Sequence, residues 1–156
     1  MRIEANGEFE WLFRLIAVGV AIAGVAYALT GLRAPPTPSN AAVFGCYVAP
    51  ASPAILLDAA GMHVRQEGFP TIPFHLERLK TGIALTADAP IRADRTAEGY
   101  RFGMNERGIG WFMPFYRIEN GRTYGVFEER LLEGFQMLAS DGITLNYEPS
   151  DAPRCA

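Results

Sequence analysis

Apolar and polar residues alternate with a period of two over most of the chain after residue 43, a pattern typical of strands with one buried face. The clearest runs are residues 62–66, 72–77, 83–86, 100–105 and 143–147. Asn120-Gly121 and Asp141-Gly142 lie between apolar runs, and both dipeptides favour hairpin turns. The pattern therefore predicts an all-β domain, an antiparallel meander of roughly eight to ten strands closed as a small barrel or folded as a sandwich.

The predicted β-domain opens with Gly45-Cys46-Tyr47. This tripeptide is similar to the Gly-x-Trp with which lipocalin-type barrels tend to begin, and the meander that follows resembles those barrels in architecture. Tyr47 stands in place of the tryptophan and no late helix is evident. The resemblance thus implies a lipocalin-like barrel architecture and names no activity.

The pattern is different near the N-terminus, where residues 15–32 carry no charge and lie between Arg14 and Arg33. A helix that crosses a bilayer needs about 20 predominantly apolar residues. We therefore expect a short cytoplasmic N-terminus over residues 1–10 and a single transmembrane helix over 11–33. A Pro-rich linker would follow over 34–42, and the β-domain would occupy 43–156 outside the cytoplasm.

The apolar stretch has two interpretations. Ala26-Tyr27-Ala28 offers a small-x-small cleavage site, as in a signal peptide, but the leader before it is acidic where a signal peptide is basic. A retained anchor is favoured. Two arginines precede the stretch and one follows it directly, which favours a cytoplasmic N-terminus. The expected location is the bacterial inner membrane, with the C-terminal domain in the periplasm.

Small residues recur four apart within this helix, at Gly19 and Ala23 and at Gly24 and Ala28. Such spacing lets a second helix approach closely. The four residues are therefore candidates for a helix–helix contact.

Cys46 and Cys155 are the only cysteines and lie near the two ends of the predicted β-domain. Outside the cytoplasm, a disulfide is the natural state of such a pair. Two unpaired thiols are the alternative that the sequence leaves open.

Charge and motifs exclude several functions. The chain has 14 Lys and Arg against 17 Asp and Glu, and its basic residues are scattered, whereas nucleic-acid surfaces need clustered positive charge. His75 and Glu77 could share a strand face, but a catalytic metal normally takes three protein ligands. No nucleophile elbow or phosphate loop is present. We predict no catalytic residue, cofactor or metal.

Residues 109–116 break the simple alternation, because Trp111, Met113 and Phe115 would lie on one strand face while Phe112 and Tyr116 lie on the other. Pro114 could reset the alternation, the 129–139 segment could cover the second face, or that face could be exposed for a partner. The aromatic residues that could form an interface or line a cavity are Tyr100, Phe102, Trp111, Phe112, Phe115 and Tyr116.

These features suggest two functions. The first is a non-enzymatic accessory subunit that sits in the lipid bilayer through its helix and docks its β-domain onto a larger membrane protein complex. The alternative is a membrane-tethered β-barrel that binds a small apolar ligand, with Tyr100, Phe102, Trp111 and Phe115 around the cavity.

Overall fold

The computed structural model describes residues 7–31, 36–104, 111–151 and 155, with the side chains of the helix described from 14 to 27. It divides into two compact units, residues 1–36 and 37–156. The first contains helix α1, Gly7–Gly31. None of the helices among the described residues is long and apolar enough to cross a bilayer, for which about 20 apolar residues are required. The structure therefore does not support the transmembrane helix predicted over residues 11–33.

Apart from two short 3-10 helices, the regular secondary structure described in the second unit consists of antiparallel strands, as predicted. The described residues form eleven: β1 Gly45–Val48, β2 Ile55–Asp58, β3 Gly61–Val64, β4 Phe74–Leu79, β5 Gly82–Ala87, β6 Ile91–Thr96, β7 Gly99–Met104, β8 Trp111–Glu119, β9 Arg122–Gly125, β10 Gly134–Leu138 and β11 Thr144–Pro149. Short 3-10 helices lie at Asn40–Val43 and Glu129–Leu131.

Eight of these strands form a nearly closed barrel-like sheet in the order β3-β2-β1-β11-β10-β8-β5-β4. Around the barrel, neighbouring strands follow one another in the order of the chain, as in a meander. The first strand, β1, pairs with the last, β11. The remaining gap, between β3 and β4, is narrowed by an isolated antiparallel bridge in which Met62 and Ile72 exchange backbone hydrogen bonds of 2.8 and 3.0 Å. Of the two predicted architectures, the barrel is the one formed.

Strands β6 and β7 do not belong to the barrel-like sheet and pair only with each other. Their hairpin is attached to the barrel by the Tyr100 N–H, which donates to the Ala51 carbonyl, and by the Ser140 N–H, which donates to the Ala93 carbonyl. The side-chain amide of Gln66 also pairs with both backbone groups of Phe102, at 2.7 and 2.8 Å. The hairpin therefore has a fixed position beside the barrel.

Aromatic side chains fill the barrel around Phe135, which is fully buried. Tyr147 stacks on it with ring centroids 5.1 Å apart, Tyr47 lies tilted at 5.0 Å, and Phe115 meets it edge-on at 5.9 Å. Both tyrosine hydroxyls have partners: Tyr47 donates to the Val43 carbonyl, and the Tyr147 hydroxyl contacts Ser52 Oγ and the Pro53 carbonyl. Buried aromatic rings thus supply much of the apolar area that stabilises the barrel.

Both predicted hairpin turns are present. Asn120 and Gly121 join β8 to β9 with φ of 52° and 72°, the pair of positive values that a type I′ turn requires. Asp141 and Gly142 lie in the turn between β10 and β11, where Asp141 accepts a hydrogen bond from the Ile143 N–H. The 129–139 segment is a short 3-10 turn followed by β10.

Cys46 and Cys155 form a disulfide, with their Cα atoms 5.8 Å apart. Cys155 is buried, and the Arg65 guanidinium donates a hydrogen bond to its carbonyl. Cys155 is therefore bound to β1 through Cys46 and to Arg65, which directly follows β3.

The compact β-unit begins at Thr37, so it includes part of the predicted linker over residues 34–42. Asn40 accounts for this, because its side chain donates to the Phe74 carbonyl and accepts from the Leu76 N–H, satisfying two backbone groups of β4. Pro38 is buried as well, whereas Pro35 lies outside the described residues.

Candidate functional site

Strand β8 carries large side chains on both faces, as the sequence predicted. Met113 and Phe115 are buried in the barrel, whereas Phe112 and Ile118, on the outer face, are 50% and 59% exposed. Pro114 does not reset the alternation, because it pairs in regular register with Ala84. Nor does the 129–139 segment cover the outer face by lying across it, since β10 pairs edge to edge with β8. Exposure of the outer face is the explanation that fits Phe112.

Tyr116 is the exception on that outer face, because only 6% of it is exposed. Its cross-strand partner on β10 is Gly134, which has no side chain to occupy the space above the sheet. The Tyr116 ring lies there instead: a Cβ placed on Gly134 would be 3.4 Å from its Cε1 atom. An aromatic ring that covers a cross-strand glycine in this way protects the backbone of a sheet.

Tyr116 also lines a groove of about 360 Å³, together with Ile118, Glu133, Gly134, Glu148 and Pro149. Its hydroxyl is buried and has no hydrogen-bond partner among the described residues. Burial, and secondly the negative charge of Glu148, raise the pKa of Tyr116 above its usual value. The groove therefore combines a neutral, unpartnered phenol with two carboxylates.

A second groove, of about 600 Å³, lies between the β6–β7 hairpin and strands β1 and β11. The Arg95 guanidinium lies over the Tyr100 ring at 5.6 Å from its centroid and donates to the Tyr100 hydroxyl. That hydroxyl in turn donates to Asp141, which is 3.7 Å from Arg95. Val48, Ile143 and Leu145 supply apolar walls, and Glu148 lines this groove as well as the first one.

The predicted aromatic residues do not form one cavity. Tyr100 lines the larger groove, but Phe102 packs edge-on against Phe69 at 6.1 Å and belongs to the core. Phe115 belongs to the core, and Trp111 is partly buried and packs against the core. Phe112 and Tyr116, on the outer face of β8, are separated from these by the sheet.

The described side chains of α1, residues 14–27, are exposed. A Cβ added at Gly19 or Gly24 would meet nothing within 4 Å, so both positions have open space beside them. Ala23 is exposed too, and the side chain of Ala28 lies outside the described residues.

Both histidines are engaged by carboxylates. His63 is bonded to Asp58 at 3.0 Å and to Thr71, and His75 is bonded to Asp88 at 2.9 Å. The hydrogen bond with His63 and, to a smaller extent, the hydrogen bond from the Ala60 N–H lower the pKa of Asp58. Within the part of the chain that the structure describes, no three His, Cys, Asp or Glu residues are grouped to hold a metal ion.

Comparisons with protein-family models, with curated proteins and with solved structures found no match to this chain.

Sequence reasoning missed Arg95, Asp141, Glu133 and Glu148 as site residues. Their charges are unremarkable in the sequence, and only the pairing of distant strands brings them to the grooves. A signal was nevertheless available for Glu148, because it follows the inward-facing Tyr147 on β11 and so must point outward.

Proposed function

We propose that the chain is a membrane-anchored, non-enzymatic accessory subunit whose helix and β-domain dock onto a larger membrane protein complex. The observation that carries the proposal is the outer face of β8. There, the apolar side chains of Phe112 and Ile118 are at least half exposed, and Ile118 lines the groove of Tyr116, whose buried hydroxyl has no hydrogen-bond partner among the described residues. Apolar side chains around a polar group that can form a hydrogen bond with the partner are characteristic of the centre of protein interfaces.

The character of α1 supports the anchoring part of the proposal. Six of its apolar side chains are each more than half exposed: Leu15, Ile16, Val18, Val20, Ile22 and Val25. Exposure of so many apolar side chains to water is unfavourable at about 25 cal/mol for each Å². Lipid or a neighbouring helix would remove that cost, and the open space at Gly19 and Gly24 suits close approach of a helix.

The disulfide between Cys46 and Cys155 supports placing the β-domain on the oxidising side of the membrane. In a bacterium with two membranes, that side of the inner membrane is the periplasm.

Membrane fractionation of cells that express the full chain tests the anchor. We expect the chain to stay with the membranes through a carbonate wash, and its release would show that the anchor is wrong. After extraction in mild non-ionic detergents, we expect it to elute in a complex far larger than one 17.1 kDa chain together with its bound detergent. Elution as a monomer in each detergent would contradict docking.

Surface variants locate the contact. Phe112→Glu and Ile118→Glu should each remove the chain from the large complex, because a charge would be buried in the interface. Phe44→Glu is a matched control, since Phe44 is 43% exposed and lies outside β8. Equal loss of the complex in the control would show that β8 is not the contact.

The larger groove favours a second candidate, a tethered barrel that binds a small apolar ligand. Its volume of about 600 Å³ falls within the range of small-molecule sites, and Tyr100 lines it together with the apolar residues Val48, Ile143 and Leu145. An apolar fluorescent probe such as anilinonaphthalene sulfonate should then bind the full chain and lose affinity in Tyr100→Ala. Identical binding by wild type and variant would remove this candidate.

A further inference from the structure

Among the described residues, the groove at Tyr116 is lined by three oxygen-bearing side chains and by no basic one. Its lining consists of Tyr116, Glu133 and Glu148 with Ile118, Gly134 and Pro149. The Tyr116 hydroxyl is a buried polar group without a partner among the described residues, and Glu148 is close enough for its charge to raise the pKa of that hydroxyl. Native structures leave few such groups unsatisfied, so this one requires an explanation.

The chemistry of the lining favours a cation that carries several N–H donors. Carboxylates only accept hydrogen bonds, and the phenol oxygen can accept one while its own proton turns towards a carboxylate. A guanidinium offers five donors in a planar fork and can therefore reach all three side chains. An ammonium group has three donors at one point and suits this separated set less well.

The other lining residues fit the rest of an arginine side chain. Ile118 and Pro149 are apolar and can contact its three methylene groups, while the space above Gly134 is occupied by the Tyr116 ring whose hydroxyl the guanidinium would reach. Glu133 and Glu148 are exposed, so their side chains are free to turn aside while the guanidinium approaches the buried hydroxyl.

We propose that this groove receives an arginine side chain of a partner protein, whose guanidinium donates to the Tyr116 hydroxyl and pairs with Glu133 and Glu148. The inference depends on the proposed function for the existence of that partner, and it adds the chemistry by which the partner is recognised. In this proposal, the buried Tyr116 hydroxyl gains its hydrogen bond only when the arginine of the partner binds.

The test uses the full chain in non-ionic detergent micelles and three capped tripeptides, Gly-X-Gly, with arginine, lysine or citrulline at X. Citrulline has nearly the shape of arginine but no charge. With methyl-labelled isoleucine, we expect the arginine peptide to shift the Ile118 methyl signals in a saturable manner. The lysine peptide should bind more weakly and the citrulline peptide should not bind. Equal binding of arginine and citrulline would overturn the proposal.

Variants of the groove sharpen this test. Tyr116→Phe keeps the ring over Gly134 and should weaken the arginine peptide about tenfold, the effect of losing one hydrogen bond to a charged donor. Glu133→Gln and Glu148→Gln should each weaken it about threefold. Glu98→Gln is the matched control, because Glu98 is exposed and lies outside the groove, and it should leave the affinity unchanged. Unchanged affinity in Tyr116→Phe would overturn the role of the hydroxyl.

The two proposals can fail separately. If the chain stays in its large complex but the arginine peptide does not bind, only the inference about arginine is wrong. If the peptide binds but the chain is a monomer that carbonate releases, the proposed accessory function is wrong and the groove remains an arginine site.

Discussion

The ring of Tyr116 lies over Gly134, its partner across strands β8 and β10. This one contact buries an aromatic side chain on the outside of a barrel, covers a glycine in the sheet and leaves a hydroxyl beside two carboxylates. Packing and chemistry are coupled at this point. Because Gly134 has no side chain, the Tyr116 ring can be buried against it, and the Tyr116 hydroxyl then lies in the groove.

Removing the Tyr116 hydroxyl should not destabilise the β-domain. Tyr116→Phe deletes a buried group with no hydrogen-bond partner among the described residues, so we expect the free energy of unfolding to stay the same or rise by up to about 1 kcal/mol. Tyr147→Phe is the matched comparison and should lower it by about 1–3 kcal/mol, since the Ser52 hydroxyl and the Pro53 carbonyl lose their partner. Denaturant unfolding followed by near-UV circular dichroism measures both. A Tyr116→Phe loss as large as that of Tyr147→Phe would mean that the hydroxyl has a partner.

A side chain at Gly134 should disrupt the sheet. A Cβ there would lie 2.6 Å from the Tyr147 carbonyl oxygen, so Gly134→Ala forces the backbone apart and should cost about 1–3 kcal/mol of stability. Gly103→Ala is the control within β7, because its nearest neighbour would be 3.7 Å away, and its stability should change by less than about 1 kcal/mol. Equal stabilities of the two variants in thermal unfolding would contradict the close packing at Gly134.

Breaking the disulfide should lower stability substantially. The bond joins residues 109 apart, so Cys46→Ser with Cys155→Ser should cost about 2–5 kcal/mol by releasing a long loop in the unfolded chain. Urea midpoints of the variant and of the reduced wild type should agree. Two reactive thiols in the denatured, unreduced wild type would show that the bond does not form in the cell.

Alkaline pH should destabilise the barrel through its buried tyrosines. Burial raises the pKa of Tyr47 from 10.0 to about 12, so the unfolded phenol ionises first and stability falls as pH rises between these values. One such group contributes at most about 1.4 kcal/mol per pH unit, and stability should not depend on it below pH 10. Tyr47→Phe should reduce the slope between pH 10 and 12, although it also loses the bond to Val43. An unchanged slope would show that Tyr47 ionises normally.

The sequence alone determined the elements of the β-domain. A period of two located five of the eleven described strands, namely β3, β4, β5, β7 and β11. Asn120-Gly121 and Asp141-Gly142 located two of the turns, because alternation and turn chemistry act between residues that are close along the chain. The same reasoning correctly placed Phe112 and Tyr116 on the opposite face of β8 from Phe115.

Only the tertiary structure decided which side chains meet. The pairing of β8 with β10 puts Tyr116 over Gly134, and the position of the β6–β7 hairpin puts Arg95 and Tyr100 beside Asp141. These contacts depend on register and on closure of the barrel, which join residues far apart in the chain and leave no local pattern to read. For that reason the sequence indicated a β-domain with surplus aromatic residues, while the groove at the Tyr116 hydroxyl became visible only in the folded chain.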